Sequence, residues 1–327
     1  LANDINEIVG IGAGDAGYGQ NQLFVNHVNK GQRLMKKNWI ELFYAMTFSA
    51  SHQGTTLTTL NSIYDGDFET LDDIIYHIDT IRTDITNIRE NKLNYNIGKM
   101  SLQNNVTSVQ QTYLDNTGSV APDDLWKTID IGKNVIFKTK FASSDAIRWH
   151  FNSGGDIRIS LELLIDSAPL YIPSIAWNEL FNSIGVITIK HSETVSSNQI
   201  GTPGVGFTGL TSEWQQIYIR IYSELENPSF FGNSVTIYAK LSEDDSIEID
   251  VTLTNCDTTV ANEQDYYCGA GVTESDPIGT TNGTVVIGDF SVRLSQQRAD
   301  DAHTSSLGVV TEMPIYSILS DISKIDS

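Results

Sequence analysis

Residues 70–93 read TLDDIIYHIDTIRTDITNIRENKL, and their spacing decides how the chain is built. Apolar side chains fall at Leu71, Ile74, Ile78, Ile81, Ile85 and Ile88, in alternating steps of three and four. That is a heptad seam with every a and d position filled, narrower than the stripe a helix turns to a globular core. Isoleucine at both positions favours three or more strands over two. Asp84 falls at a g position and Arg89 at an e position, so the pair suits a register-setting contact between neighbouring chains. The seam predicts a short trimeric coiled coil. The alternative is one helix of an intramolecular bundle, because the seam runs for fewer than three heptads.

Working outward, charge and composition bound the rest. The chain has 327 residues, enough for two domains, and its formal charge of −21 argues against a nucleic-acid partner. The longest basic cluster, Arg33 to Lys37, is interrupted by Leu34 and Met35 and reads as a solvated helix face. No apolar run has the length of a membrane span. The opening LANDINEIVGIGAGDAG carries no basic n-region, so it does not read as a secretory signal. Cys256 and Cys268 fit one bridge across a polar loop, or two free thiols.

In chain order, residues 1–20 are glycine-rich, and residues 21–51 read as two helices broken at Gly31. His52, Gln53 and Gly54 close the second, with Gly54 as a left-handed cap. Thr70 serves as N-cap of the heptad helix. Residues 99–128 are rich in Asn, Gln, Ser and Thr and read as an extended linker. From about Ile129 the apolar period shifts to two. The stretches VIFKTKFA, AIRWHF, DIRISLELLI, VITIKHSE, QQIYIRIYS, NSVTIYAKLS, SIEIDVTLT and GTVVIGDFSVRL predict about eight strands, interrupted by one helical turn at IAWNELFNSI. That pattern suits an antiparallel sandwich or jelly roll. A fainter echo of the seam appears at Ile315, Ile318, Ile322 and Ile325.

Motifs that resemble catalytic or binding sites lose force in context. Gly12, Gly14 and Gly17 fit G-x-G-x-x-G, but only two apolar residues precede Gly10, and no acid follows at the required distance. The six histidines are scattered without metal-binding spacing. Asp65-Gly66-Asp67 opens like a calcium loop, yet its twelfth position is Tyr76. The run Glu243, Asp244, Asp245, Glu248, Asp250 reads as a solvated hairpin. No acid pair or nucleophile arrangement can be argued, so no catalytic residue, metal or cofactor is assigned. Trp126, Trp149, Trp177 and Trp214, with Tyr266 and Tyr267, leave carbohydrate binding as an alternative, although sandwich tryptophans are more often core.

Two stretches carry a resemblance. The first holds Gly14, Gly17, Tyr18, Gly19, Gln20, Gly31, Trp39, His52, Gln53 and Gly54. It resembles the N-terminal segment of virion structural proteins from large tailed bacteriophages, cyanophages among them. The second, AIRWHFNSGGDIRISLELL with AWNELFNSIGVITI and GTVVIGDFSVRL, is similar to the C-terminal β domain of the same proteins, with Asp156 where that family has Glu. The resemblance implies a structural component of a particle, in a fibre, collar or tail appendage, and brings no catalytic residues with it.

The expected architecture is therefore α+β. Residues 1–54 form a particle-docking part through Gly14, Gly17, Tyr18, Gly19, Gln20, Trp39, His52 and Gln53. Residues 55–98 form the coiled coil, 99–128 the linker, 129–299 the β-sandwich and 300–327 a tail. Expected partners are two further copies of the chain and other virion structural proteins. A host-surface glycan is the alternative ligand and a glycan depolymerase the remaining alternative activity. No nucleic acid or membrane is expected, and the expected location is the virion, assembled in the host cytoplasm.

Overall fold

A computed structural model describes residues 1–10, 17–20, 23–58, 71–111, 133–164, 172–223, 232–254, 289–299 and 310–315. The chain divides into two compact units, and neither is a continuous stretch of sequence. Unit 1 comprises Leu1–Gln103, Phe141–Asp156 and Gln296–Val309; unit 2 comprises Asn104–Lys140, Ile157–Ser295 and Val310–Ser327. The expected linear order of docking part, coil, linker and sandwich is corrected accordingly. A segment of the presumed β domain returns to unit 1.

Unit 1 is built on helices α1 (Ala2–Val9), α2 (Lys36–Gln53), α3 (Leu71–Glu90) and α4 (Ser144–Asn152). Helix α1 lies where glycine-rich turns are expected; Ile5, Ile8 and Val9 give it a buried face. Its last carbonyls are taken up by the returning chain: Tyr18 N–H donates to Ile8 O at 2.8 Å, and Gln20 N–H to Val9 O at 2.7 Å. The first of the two helices expected in residues 21–51 is absent, and residues 24–29 run without helix. The Asn6 side chain clamps Val25, donating to its carbonyl at 2.8 Å and accepting from its N–H at 2.7 Å. Those bonds replace helical ones. Helix α2 ends as expected, with Gly54 in the left-handed region at φ 78°.

Helix α3 is the heptad helix. Ile81, Ile85 and Ile88 are fully buried, and they share one core with Ile5, Ile8, Tyr18, Leu42, Phe43 and Met46 of the same chain. Ile78 is half-buried, and for Leu71 and Ile74 only the backbone is described. Isoleucines covered by α1 and α2 cannot also line a seam between chains, so this half of the helix takes the intramolecular alternative. The expected Asp84–Arg89 contact between chains is replaced too. Buried Asp84 accepts from Thr58 N–H at 3.2 Å and from its hydroxyl at 2.8 Å, while Arg89 pairs with Glu7 at 2.8 Å. Helix α4 replaces an expected strand, AIRWHF. Ser143 caps it, accepting from Ala146 N–H at 3.1 Å, and Ala146, Ile147, His150 and Phe151 bury at helical spacing.

Unit 2 holds the sheet. In chain order its strands are β1 (Met100–Gln111), β2 (Lys133–Lys140), β3 (Asp156–Leu164), β4 (Val186–Ile189), β5 (Glu193–Ser196), β6 (Thr202–Val205), β7 (Gln215–Ile221), β8 (Ser234–Ser242), β9 (Ser246–Thr254), β10 (Asp289–Ala299) and β11 (Val310–Ile315). They join in one order, β1-β10-β3-β4-β5-β6-β7-β8-β9-β2-β11. The nine strands from β3 to β11 form antiparallel ladders that nearly close into a barrel. Each strand from β3 to β9 pairs with its sequence neighbour, with helix α5 (Ile172–Ile184) lying between β3 and β4 in the chain. The period-two reading holds well here. Ile247, Ile249, Val251 and Leu253 of β9 are fully buried and stand opposite Leu241, Ala239, Ile237 and Val235 of β8. On the other side of β9, Val135 faces Val251 and Phe137 faces Ile249. The expected helical turn is thus a full helix, and it buries Trp177, Leu180, Phe181 and Ile184.

Two further expectations shift. The first part of the linker is strand β1, and Ile315 of the C-terminal echo ends strand β11. The remaining echo residues, Cys256, Cys268, Thr70, Trp126, Tyr266, Tyr267 and the Asp65–Asp67 loop lie outside the described residues.

Candidate interaction surface

Most of the residues expected to dock onto a particle are brought together, but they point inward. Tyr18 is fully buried, its hydroxyl donating to Lys92 O and accepting from Gln53 Nε2 at 2.8 Å. The same Gln53 amide donates to Ile88 O at 3.0 Å, closing the end of α3 onto α2. Burial raises the Tyr18 phenol well above its ordinary pKa, against the Gln53 hydrogen bond that lowers it, so the group stays a neutral donor. His52 is fully buried and donates from Nε2 to Ser153 O at 2.8 Å. Gly17 O accepts from Asn152 Nδ2 at 3.0 Å. Gly19 sits at φ 78°, and a Cβ there would stand 2.6 Å from the Trp149 ring. Gln20 is fully buried, and Trp39 is half-buried with its ring stacked on Phe43. Gly14 lies outside the described residues, and the element ahead of the glycine motif is helix α1, not the strand a dinucleotide loop needs. Tyr18, Gln20 and His52 have no exposed area and Gln53 almost none, so these side chains pack inside unit 1.

The outward side of the same segment is different. Phe24, Val28, Leu34, Met35, Ile40 and Tyr44 are exposed by 39 to 56%, and all lie in residues 24–44. Ile40, Tyr44 and Phe48 recur every four residues along α2, and the Tyr44 and Phe48 rings stack at 6.4 Å. Asn26 donates to Glu41 Oε2 at 3.2 Å, laying the preceding segment beside that helix. Lys30, Arg33, Lys36 and Lys37 stand among the apolar groups, exposed, and none has an ion-pair partner among the described residues. Together the six apolar residues expose on the order of 500 Å², about as much as the largest patch on an ordinary monomer. The sequence signal for this face is the second apolar stripe of α2 beside a basic run without acids. By sequence alone that run reads as a solvated helix face.

Unit 2 offers less. An open groove of about 520 Å³ is bordered by Thr188, Lys190, Glu193, Gln199 and Tyr218, but its polar groups answer one another: Lys190 pairs with Glu193 at 3.5 Å, and the Tyr218 hydroxyl donates to Ile200 O at 2.6 Å. The acidic run is balanced by lysines, with Lys138 at 2.6 Å from Asp244 and Lys240 at 3.1 Å from Glu248. Trp177 is core. Trp214 is exposed, but Lys240 Nζ sits 4.7 Å above its ring and occupies the face a sugar would stack on.

Comparison with known proteins finds no matching family model, curated protein or solved structure. Among the described residues no helix is long and apolar enough to cross a membrane.

Proposed function

We propose that this chain is a structural subunit of a tailed-bacteriophage virion, in a fibre, collar or tail appendage, assembled in the host cytoplasm. Unit 1 docks the subunit onto its neighbours, with a homotrimer as the expected assembly, and unit 2 is displayed. The observation that carries this reading is the apolar face of residues 24–44 with its unpaired cations, set on a helical unit whose interior is already filled. Such a face suits a permanent protein contact. The resemblance of the Gly17–Gln20 and Asn152–Asp156 segments to phage virion proteins supports it as well.

The test is a mass-spectrometric inventory of washed particles, followed by low-resolution imaging with this chain tagged. The expected outcome is a fixed copy number at a symmetric position on the particle. A chain missing from washed particles would overturn the proposal.

A further inference from the structure

The open groove on unit 2 is built on strands β4 and β5. Their buried residues alternate with outward ones, so Thr188 and Lys190 of one side share a face with Glu193 and Val195 of the other, and Thr188 stands opposite Val195. Gln199, Ile200 and Pro203 complete the lining, and the volume of about 520 Å³ falls in the range of small-ligand clefts. The Lys190–Glu193 and Tyr218–Ile200 pairs engage part of its polar surface. The Thr188 hydroxyl and the Gln199 side-chain amide have no hydrogen-bond partner among the described residues. Gln199 also holds a left-handed backbone, at φ 56°, that a glycine would adopt without strain. Strain kept at the border of a groove points to a use for the side chain.

The lining narrows the occupant. Lys190 and Glu193 cancel each other, so the groove favours neither an anion nor a cation. Its one aromatic residue, Tyr218, is buried with its hydroxyl engaged, so a nucleobase finds no ring to stack on. An extended peptide needs a free strand edge. β5 has β4 on one side and β6 on the other, and beyond the β6 pairs Ser196 O already accepts from Gln199 N–H at 3.1 Å. A wholly apolar molecule would leave the Thr188 and Gln199 groups unpaired. Sugar hydroxyls both donate and accept, as a threonine hydroxyl and a glutamine amide require. Val195, Ile200 and Pro203 supply a small apolar surface for the C–H face of a sugar ring. We infer that this groove binds a short uncharged stretch of glycan, with Thr188 and Gln199 as its hydrogen-bonding residues. Such binding is an activity of unit 2 alone.

The full chain, labelled and applied to an array of uncharged and acidic oligosaccharides, tests this, with calorimetric titration of the strongest uncharged member to follow. Binding should favour uncharged members and change little between low and high salt. Gln199→Gly removes the amide and relieves the backbone, so it should weaken binding about tenfold or more while the melting temperature holds or rises. Thr188→Val keeps a β-branched side chain in the strand and loses the hydroxyl, and should weaken binding by a similar factor. Trp214→Ala, outside the groove, should leave binding unchanged. Circular dichroism verifies that the three variants stay folded.

Silence from every uncharged member of the array would overturn the inference, and so would binding that survives both groove variants. Binding lost in Trp214→Ala but kept in Gln199→Gly would assign recognition to the tryptophan instead. Binding confined to acidic members and abolished by salt would make Lys190 an anion contact, which overturns it as well. None of these outcomes bears on the docking of unit 1.

Discussion

Asn152 donates its side-chain amide to the main-chain carbonyl of Gly17 at 3.0 Å, across 135 residues of sequence. Beside it His52 reaches Ser153 O, and Gly19 lies under Trp149. Residues 17–19 and 149–153 thus meet in one buried cluster of unit 1. Removing the Asn152 amide leaves a buried carbonyl without its donor, so Asn152→Ala should cost about 1–3 kcal/mol, read as a lower denaturant midpoint for unit 1.

Two glycines separate backbone strain from close packing. Gly19 and Gly31 both have positive φ, at 78° and 89°. A Cβ at Gly31 meets nothing within 4 Å, whereas at Gly19 it meets the Trp149 ring. Gly31→Ala should cost about 1 kcal/mol, from the left-handed backbone alone. Gly19→Ala should cost about 2–4 kcal/mol, because the ring must also move. Equal losses in thermal melts would mean that Trp149 does not cover Gly19.

The seam isoleucines give a test of which core they serve. Ile85 is buried against α1 and α2, so Ile85→Ala should lower the stability of the single chain by about 2–5 kcal/mol. An interchain seam would behave differently: the oligomer would dissociate on light scattering while the protomer kept its melting temperature.

His150 ties stability to pH. It is fully buried beside Phe141 and Phe151, and desolvation lowers its pKa to about 4 despite a 3.3 Å donation to Asp156 O, with Arg298 acting in the same direction as burial. The unfolded chain protonates this ring near pH 6.5, so between pH 6.5 and 4 it binds more protons than the folded one. Stability is full above that window and falls as pH drops through it, by roughly 3 kcal/mol in total. Denaturation at a series of pH values should show this slope, and His150→Gln should flatten it by one proton. An unchanged slope would assign the effect to another group.

Asp244 should titrate abnormally. Its hydrogen bonds to Lys138, at 2.6 Å, and to Ser246 hold its carboxyl well below the usual carboxylate range. Its side-chain carbon resonance should stay unchanged from neutral pH down to about pH 3, and Lys138→Met should bring a normal inflection back near 4. An inflection near 4 in the wild type would contradict the ion pair.

The strands were legible because their side chains answer to one simple rule. In β8 and β9 every second residue faces a single filled interior, so the period of two survives in the text. The helix in AIRWHF was not legible as one. Ile147, Trp149 and Phe151 alternate in sequence, yet Ser143 caps a turn there and His150 buries with Phe151. The heptad gave the right helix, and for Ile81, Ile85 and Ile88 the wrong partner, since α1 is eight residues long and too brief to announce that it covers them. The burial of Tyr18, His52 and Gln53 was not legible for a related reason. Their bonds to Lys92, Ser153 and Ile88 depend on which distant segment returns. Spacing along the chain carries no record of that.

The division of unit 1 among three separated segments bears on synthesis. Its last contribution, Gln296–Val309, leaves the ribosome well after Leu1–Gln103 and Phe141–Asp156 have been made. Buried Asp156 accepts from Gln297 N–H at 3.2 Å, so unit 1 waits for a residue made 141 positions later. Domains that fold as continuous blocks can mature during translation, the N-terminal one first. This one cannot. A chain cut short before residue 296 lacks part of unit 1 and cannot complete it.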